Sequence, residues 1–265
     1  MKYLVALILL CCVPSFGYAD SSCFMVHDGQ TTILQEGDCV TTRSPCSTFK
    51  LALSVIGYDS AILLDDVHPT VPFKKGYPDY RDIWKQEHNP RLWLKNCCLW
   101  YSQYIAQKLG SKKLKAYLAK LKYGNQDISG DKGENNGLKR SWISSSLEIS
   151  PENQLRFIVD LKDNTLPCSE RAQIMTKKIM TREQLPNGWT LYLQTGSGFQ
   201  RHPVTHQKTN LKQGWTVGWI EKGEKVFTFV YYVREDHFRP SYAGPRAKRA
   251  ALVKLQKLIT KMTKT

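Results

Sequence analysis

The chain has 265 residues, of which 42% are hydrophobic and 23% are charged. This is ordinary globular composition, which excludes a disordered protein, a collagen-like repeat and a multi-pass membrane protein. The 38 Lys and Arg residues against 23 Asp and Glu give a formal net charge of +15. Such an excess fits a nucleic-acid, membrane-surface or acidic partner, and it fits equally a solvated basic face.

The N-terminus has the pattern of a secretory signal peptide. Met1-Lys2 is a short basic region, and the apolar run at residues 3–13 is too short to span a bilayer as a helix. A small-x-small cleavage site follows, so we predict removal of residues 1–19 with cleavage near Ala19-Asp20. An uncleaved anchor is the alternative. No later stretch of the sequence is apolar enough to predict a membrane span.

Export changes what the cysteines can do, because an exported protein can form disulfides. Six cysteines remain after residue 19, and sequence alone does not settle their pairing. Cys23 and Cys39 bracket a short hairpin-like segment and form the preferred pair. The cysteines lack the paired C-x-x-C spacing of a zinc site, so we expect no metal.

The first part of the mature chain predicts a hairpin followed by helices. Two strands are predicted at residues 24–26 and 31–35, around Gly29. A buried helix is predicted at 47–57 after Pro45, and a second helix at 92–109 ends at Gly110. The remaining predicted helices lie at 111–121, 151–161 and 170–180, and the loops lie at 65–90 and 123–137.

The last part of the chain changes to a strand pattern. Strands are predicted at 189–193, 215–220 and 226–233, with a hairpin at 221–224 and a final helix at 246–262. Strands and helices in separate runs indicate an α+β fold. We therefore predict an antiparallel sheet built from both chain ends, packed against helices, with an all-helical region inserted between them.

The candidate chemistry begins at Ser47-Thr48-Phe49-Lys50. A serine at a helix start and a lysine three residues later lie on one face. The helix N-terminus stabilises developing negative charge on the serine oxygen, and a lysine in an apolar pocket can activate the serine. S-x-x-K alone is a weak signal, and a second match at residues 129–132 lies in a glycine-rich loop that does not suit a helix.

Further motifs follow the S-x-x-K serine in order. They are Tyr123-Gly124-Asn125, Trp142, Gln194-Thr195-Gly196, the stretch 215–219 and Arg246. S-x-x-K with later motifs of this kind marks serine β-lactamases and penicillin-binding proteins. With these motifs the sequence resembles the class D (oxacillinase-type) β-lactamases over nearly the whole mature chain. The resemblance implies a β-lactamase/transpeptidase-like fold for residues 20–265 as one domain, in the periplasm.

The resemblance also implies catalytic roles. Ser47 would be the nucleophile that the β-lactam carbonyl acylates. Lys50 would be N-carboxylated by carbon dioxide or bicarbonate and would act as general base, and no other cofactor is expected. Trp142 would donate its indole N–H to that carbamate. The backbone N–H groups of Ser47 and Ser197 would form the oxyanion hole.

Substrate binding is likewise implied by the resemblance. Thr195 and Arg246 would bind the substrate carboxylate, since a guanidinium group suits that anion. The remaining substrate-binding positions carried over from the family are Gln194, Gly196, Ser197 and Leu99.

Two departures from the family pattern bear on activity. The lysine of the family K-T-G motif is Gln194 here, and loss of a hydrogen bond to a charged group costs about 1.5–3 kcal/mol, or roughly ten- to hundredfold in rate. The family S-x-V element falls on Cys97-Cys98-Leu99, so the proton-relay serine becomes Cys97, a weaker donor. Lys208-Thr209-Asn210 is a nearby K-T pair that we assign to a loop.

Cys46 precedes the proposed nucleophile, and Cys97 is expected beside it. A Cys46–Cys97 disulfide could lock the site, or a reduced Cys97 could be redox-sensitive. Free thiols that only pack are the alternative.

Three functions follow from the sequence. The leading one is a periplasmic serine β-lactamase, with penicillins as the first expected substrates. The second is a relative that acylates but barely turns over, because of Gln194 and Cys97. The third is a basic exported protein that binds nucleic acid or anionic lipid, which is disfavoured because the Lys and Arg residues are spread along the chain. We expect no nucleic-acid partner, and the oligomeric state is left open.

Overall fold

The computed structural model describes residues 22–202, 205 and 207–262. The predicted signal peptide and its cleavage site lie outside these residues. The described strands are β1 Cys23–His27, β2 Thr32–Gly37, β3 Thr181–Gln184, β4 Thr190–Arg201, β5 Lys208–Lys222 and β6 Lys225–Arg234. They form one antiparallel sheet in the order β2-β1-β6-β5-β4-β3. β1 pairs with β6, so the α+β prediction of a sheet built from both chain ends is confirmed.

Helices pack on both faces of this sheet. The described α-helices are α1 Phe49–Asp59, α2 Pro90–Lys95, α3 Leu99–Leu109, α4 Ser111–Lys120, α5 Gly137–Arg140, α6 Pro151–Asp163, α7 Glu170–Ile179 and α8 Ala243–Met262. Helices α1–α7 separate the β1–β2 hairpin from the later strands, as the sequence predicts. Within the described part of the chain, no helix has the length and apolar content needed to cross a bilayer.

The side chains of β1 alternate between two apolar cores, as a strand with a period of two residues requires. Phe24 and Val26 point to the face that α8 covers, whereas Cys23 and Met25 join the core of the helical layer. Cys23 forms a disulfide with Cys39, which confirms the preferred pair. This bond joins β1 to the segment that leaves β2.

The predicted single helix at 92–109 is wrong. The chain breaks it into α2 and α3, and Cys97 at the junction has a left-handed φ of 51°. The backbone N–H of Cys98 donates to Trp93 at 3.0 Å and that of Cys97 donates to Leu94 at 3.2 Å, which closes a turn between the helices. The break matters because it carries the Cys97 side chain to the candidate site.

Three strand predictions also need correction. Lys208-Thr209-Asn210 is not a loop but begins β5, and Arg201 pairs with Lys208. β4 continues through the Gln194-Thr195-Gly196 motif instead of ending there. β3 was not predicted, since its four residues are polar and alternate between half-buried and exposed positions.

Candidate active site

The proposed nucleophile lies in a one-turn 3₁₀ segment, Cys46–Thr48, immediately before α1. Lys50 occupies the first turn of α1, and its Nζ donates to Ser47 Oγ at 3.3 Å. Lys50 is only 1% exposed. The S-x-x-K spacing therefore brings the two reactive groups together, as the sequence predicts.

The buried amine of Lys50 has the hydroxyl group of Ser47 as its hydrogen-bond partner, and not a carboxylate. In the described part of the chain it forms no ion pair. Trp142 packs against Phe49 with ring centroids 5.2 Å apart, and it shares a cavity with Ser47. The indole N–H of Trp142 has no hydrogen-bond acceptor among the described residues. A buried amine without a counter-ion beside an unpaired donor fits a carboxylated lysine.

β4 runs along the turn that holds Ser47. β3 pairs with β4 only at residues 190–193, so no described strand covers the outer edge of β4 beyond that point. A Cβ on Gly196 would lie 2.9 Å from the Pro45 carbonyl oxygen, and one on Gly198 would lie 2.4 Å from Cys46 Sγ. Glycine at these positions lets the strand approach the nucleophile.

The exposed edge of β4 presents backbone donors to the site. The N–H of Phe199 points outward and donates to Ser144 Oγ at 2.9 Å. Because N–H directions alternate along a strand, the N–H of Ser197 points to the same edge. Ser47 lies in a first helical turn, where backbone N–H groups lack an intrahelical acceptor. The two expected oxyanion donors, the N–H groups of Ser47 and Ser197, therefore lie on adjacent segments, and neither is needed for the hydrogen bonds of the helix or the sheet.

A cavity of about 320 Å³ lies where β4 meets the helical layer. Six predicted residues line it, namely Ser47, Cys97, Leu99, Trp142, Thr195 and Ser197. Another wall consists of Tyr80, Arg81, Trp84 and Lys95, with Tyr242 nearby, and no sequence motif identified these residues individually. The signal was the stretch around residues 75–90, whose loop shape we expect to affect substrate preference, although no single residue in it was identified as part of the site.

Gln194 and Cys97, the two departures from the family pattern, lie in contact. Gln194 is 4% exposed, and its Nε2 lies 3.7 Å from Cys97 Sγ and 3.1 Å from the carbonyl oxygen of Thr195. The structure therefore places Cys97 at the cavity wall, where the sequence predicts the proton relay. Gly196 and Gln194 adjoin the cavity without lining it.

Of the alternatives for Cys46 and Cys97, the structure supports free thiols, because the two residues form no disulfide. Cys46 is buried at the wall of the same cavity, and its Sγ accepts a hydrogen bond from Gln213 Nε2 at 3.8 Å. Burial raises the pKa of the Cys46 thiol to about 11. Cys46 therefore packs beneath the nucleophile as a protonated thiol.

Arg246 has a different partner from the one expected. Its Nε donates to Glu235 Oε1 at 2.7 Å, and its Nη2 contacts the same oxygen. The two side chains are 15% and 5% exposed, respectively. Arg246 does not line the cavity; its neighbour Pro245 does. Its assignment to the substrate carboxylate stays a prediction that this geometry does not favour.

The Tyr123-Gly124-Asn125 motif supports the loop that follows Trp142. Asn125 Nδ2 donates to the Ser146 carbonyl at 2.8 Å, and its Oδ1 accepts from the Glu148 N–H at 3.0 Å. Gly124 has a left-handed φ of 55°, and a Cβ there would lie 2.0 Å from the Glu148 carbonyl oxygen. The motif therefore shapes the site from outside the cavity.

Comparisons with known proteins agree with this geometry. Residues 21–254 match the penicillin binding protein transpeptidase domain family. The chain is 37% identical to β-lactamase OXA-9 of Klebsiella pneumoniae, over 89% of this chain and 88% of that protein. It is 38% identical to β-lactamase OXA-1 of Escherichia coli, over 78% and 74%. The solved class D β-lactamase OXA-427 superposes with a TM-score of 0.84 at 34% identity, over 91% and 99%.

Proposed function

The chain belongs to the class D β-lactamase family, and from this premise we propose that it hydrolyses the β-lactam amide bond through an acyl-serine intermediate on Ser47. The observation that carries the proposal is the 3.3 Å contact between Lys50 Nζ and Ser47 Oγ, opposite the uncovered edge of β4. An activated serine facing backbone donors is the arrangement that acyl transfer needs.

In acylation, Ser47 Oγ attacks the β-lactam carbonyl carbon while Lys50 accepts its proton. The backbone N–H groups of Ser47 and Ser197 stabilise the oxyanion. As the C–N bond breaks, Cys97, oriented by Gln194, gives its proton to the ring nitrogen and takes up the proton that Lys50 accepted from Ser47. The hydroxyl group of Thr195, on the same cavity wall, donates a hydrogen bond to the substrate carboxylate. In deacylation, water attacks the ester carbon while Lys50 accepts a proton from it, and as the acyl–oxygen bond breaks Lys50 passes that proton to Ser47 Oγ.

The environment of Lys50 fits the family's carboxylated lysine. Ser47 and Trp142 would hold that group, and it would supply an oxygen base in place of an amine. This modification adds carbon dioxide or bicarbonate to the requirements of the reaction. Activity should then rise with bicarbonate after the protein has been purified in degassed acidic buffer.

The direct test is hydrolysis of nitrocefin and penicillin by the mature protein, with and without bicarbonate. A rate that bicarbonate raises and that Ser47→Ala abolishes supports nucleophile and carbamate together. A rate that survives Ser47→Ala would overturn the proposal. Trp142→Phe keeps the ring that packs on Phe49 but lacks the N–H, so it should need more bicarbonate for half-maximal activity.

A second candidate is a relative that acylates but barely turns over. The observation that favours it is the Gln194–Cys97 contact, because a neutral amide and a weakly hydrogen-bonding thiol occupy positions where the family has lysine and serine. Penicillins stay the first expected substrates in both cases. We also propose periplasmic location and removal of residues 1–19, on the signal-peptide pattern alone.

A further inference from the structure

The walls of the active-site cavity carry positive charge and no acidic side chain. Arg81 and Lys95 are the charged residues that line it. Neither forms an ion pair with a carboxylate in the described part of the chain. Both side chains are exposed, so an anion in the cavity can reach them without displacing an internal partner.

Both cations lie near Cys97, and Arg81 is held in place by its neighbours. Arg81 Nη1 donates to the Asn96 carbonyl oxygen at 3.1 Å, and its guanidinium carbon lies 5.6 Å from the Trp84 ring centre. Trp84 Nε1 donates to the same carbonyl at 3.0 Å. Lys95 ends α2, two residues before Cys97. The Asn96 carbonyl thus joins the Arg81–Trp84 segment to the α2–α3 junction.

The chemistry of the substrate relates this wall to the reaction. Penicillins and cephalosporins carry a carboxylate on the carbon next to the ring nitrogen. The proposed function brings that nitrogen to Cys97, so the carboxylate lies near the same wall. At the family's cationic positions, Gln194 has no charge and Arg246 is paired with Glu235.

We propose that Arg81 and Lys95 bind the substrate carboxylate in this protein, in place of the expected Arg246. The inference rests on the proposed function and adds the anchor for the anion. A guanidinium held by a carbonyl and an aromatic face keeps further N–H groups free for a carboxylate. The ammonium group of Lys95 adds a second, flexible charge.

The test compares benzylpenicillin with its methyl ester, which keeps the β-lactam but loses the anion. The variants are Arg81→Gln, Lys95→Gln and the double variant, with Lys112→Gln as an exposed control on α4. For the acid, the double variant should lower kcat/KM about tenfold or more, mainly through KM. For the ester, the change should stay within about twofold. Lys112→Gln should alter neither substrate.

Equal losses on acid and ester would overturn the proposal, since a merely structural effect does not distinguish the two. The proposal would also be overturned if Arg246→Lys abolished the preference for the acid while the Arg81→Gln/Lys95→Gln double variant kept that preference. If turnover is slow, the rate of Ser47 acylation, measured by intact mass spectrometry, gives the same comparison of acid and ester. If penicillin does not acylate the wild-type protein and the protein does not hydrolyse it, the proposed function itself would be overturned.

Discussion

The amide of Gln194 donates a hydrogen bond to the thiol of Cys97, with 3.7 Å between Nε2 and Sγ. The two residues are 97 positions apart, and each departs from the class D pattern. Gln194 is nearly buried, so its amide has few alternative partners. The departures therefore form one coupled pair at the site wall, and their effects on catalysis should not add independently.

The first prediction concerns this pair. Cys97→Ala should lower kcat roughly 10- to 100-fold, because it removes the proton relay, whereas Cys97→Ser should keep or raise it. Gln194→Lys should help more in the Cys97→Ser background than alone, because the ammonium then meets a hydroxyl. Steady-state kinetics of the wild type, the two single variants Cys97→Ser and Gln194→Lys and the double variant form a double-mutant cycle, which should give a coupling energy of about 1 kcal/mol. Strictly additive effects would show that the two residues act separately.

The second prediction concerns thiol reactivity. Burial raises the pKa of Cys46 to about 11, that of Cys98 to about 12 and that of Cys168 to about 11. A thiol is protonated and unreactive below its pKa, so at pH 8 these three should react slowly. Cys46 and Cys97 both line the cavity, but Cys97 is only half-buried, so iodoacetamide should modify Cys97 first and inhibit hydrolysis.

Peptide mapping over time measures the order of modification. Raising the pH toward 10 should speed the reaction at partly exposed Cys168, because its thiolate fraction grows about tenfold per pH unit below its pKa. Cys97→Ser should resist inhibition by iodoacetamide. Faster modification of Cys46 or Cys168 than of Cys97 at pH 8 would contradict the assignment.

The third prediction concerns Arg246 and Glu235. Arg246→Ala leaves the Glu235 carboxylate buried without its cation, which should lower the free energy of unfolding by about 3 kcal/mol. A second change, Glu235→Gln, should restore part of that loss because the buried charge is gone. The exposed pair Lys254–Glu36 provides the control, and Lys254→Ala should cost less than about 1 kcal/mol. Urea unfolding, with an unchanged m-value, measures the free energy of unfolding of all three variants. If Arg246→Ala and Lys254→Ala lower it equally, Arg246 has no special structural role.

The fourth prediction concerns the Cys23–Cys39 disulfide. The bond closes a segment with a sequence separation of 16, so its loss should lower the free energy of unfolding by about 3 kcal/mol. A reductant should lower the urea midpoint of the wild type but not that of the Cys23→Ala/Cys39→Ala variant. Hydrolysis at 25 °C should persist, because neither cysteine lines the cavity. If the reductant does not change the urea midpoint of the wild type, the disulfide is not formed in solution.

Local sequence signals were sufficient for much of this fold. The Ser47 turn, its lysine one turn later and the Gly110 helix end are all readable within a few residues. Period-two strands at both chain ends also predicted the sheet. These features succeeded because they depend on backbone periodicity and on short spacings.

The remaining features depend on tertiary context. The apolar pattern continues through residues 96–98, so nothing in it shows that Cys97 adopts a positive φ and interrupts the helix. Arg246 and Glu235 lie on different elements, and only the fold reveals that they pair. The Arg81 wall comes from a loop whose path no periodicity determines.

Intact mass spectrometry after a brief exposure to penicillin tests the central claim most directly. The protein should gain the mass of one penicillin on Ser47, and the adduct should disappear as penicilloate accumulates. Ser47→Ala should gain no mass and release no product. A stable Ser47 adduct without hydrolysis would contradict turnover and leave the penicillin-binding alternative, and hydrolysis without any Ser47 adduct in either protein would contradict the acyl-serine mechanism.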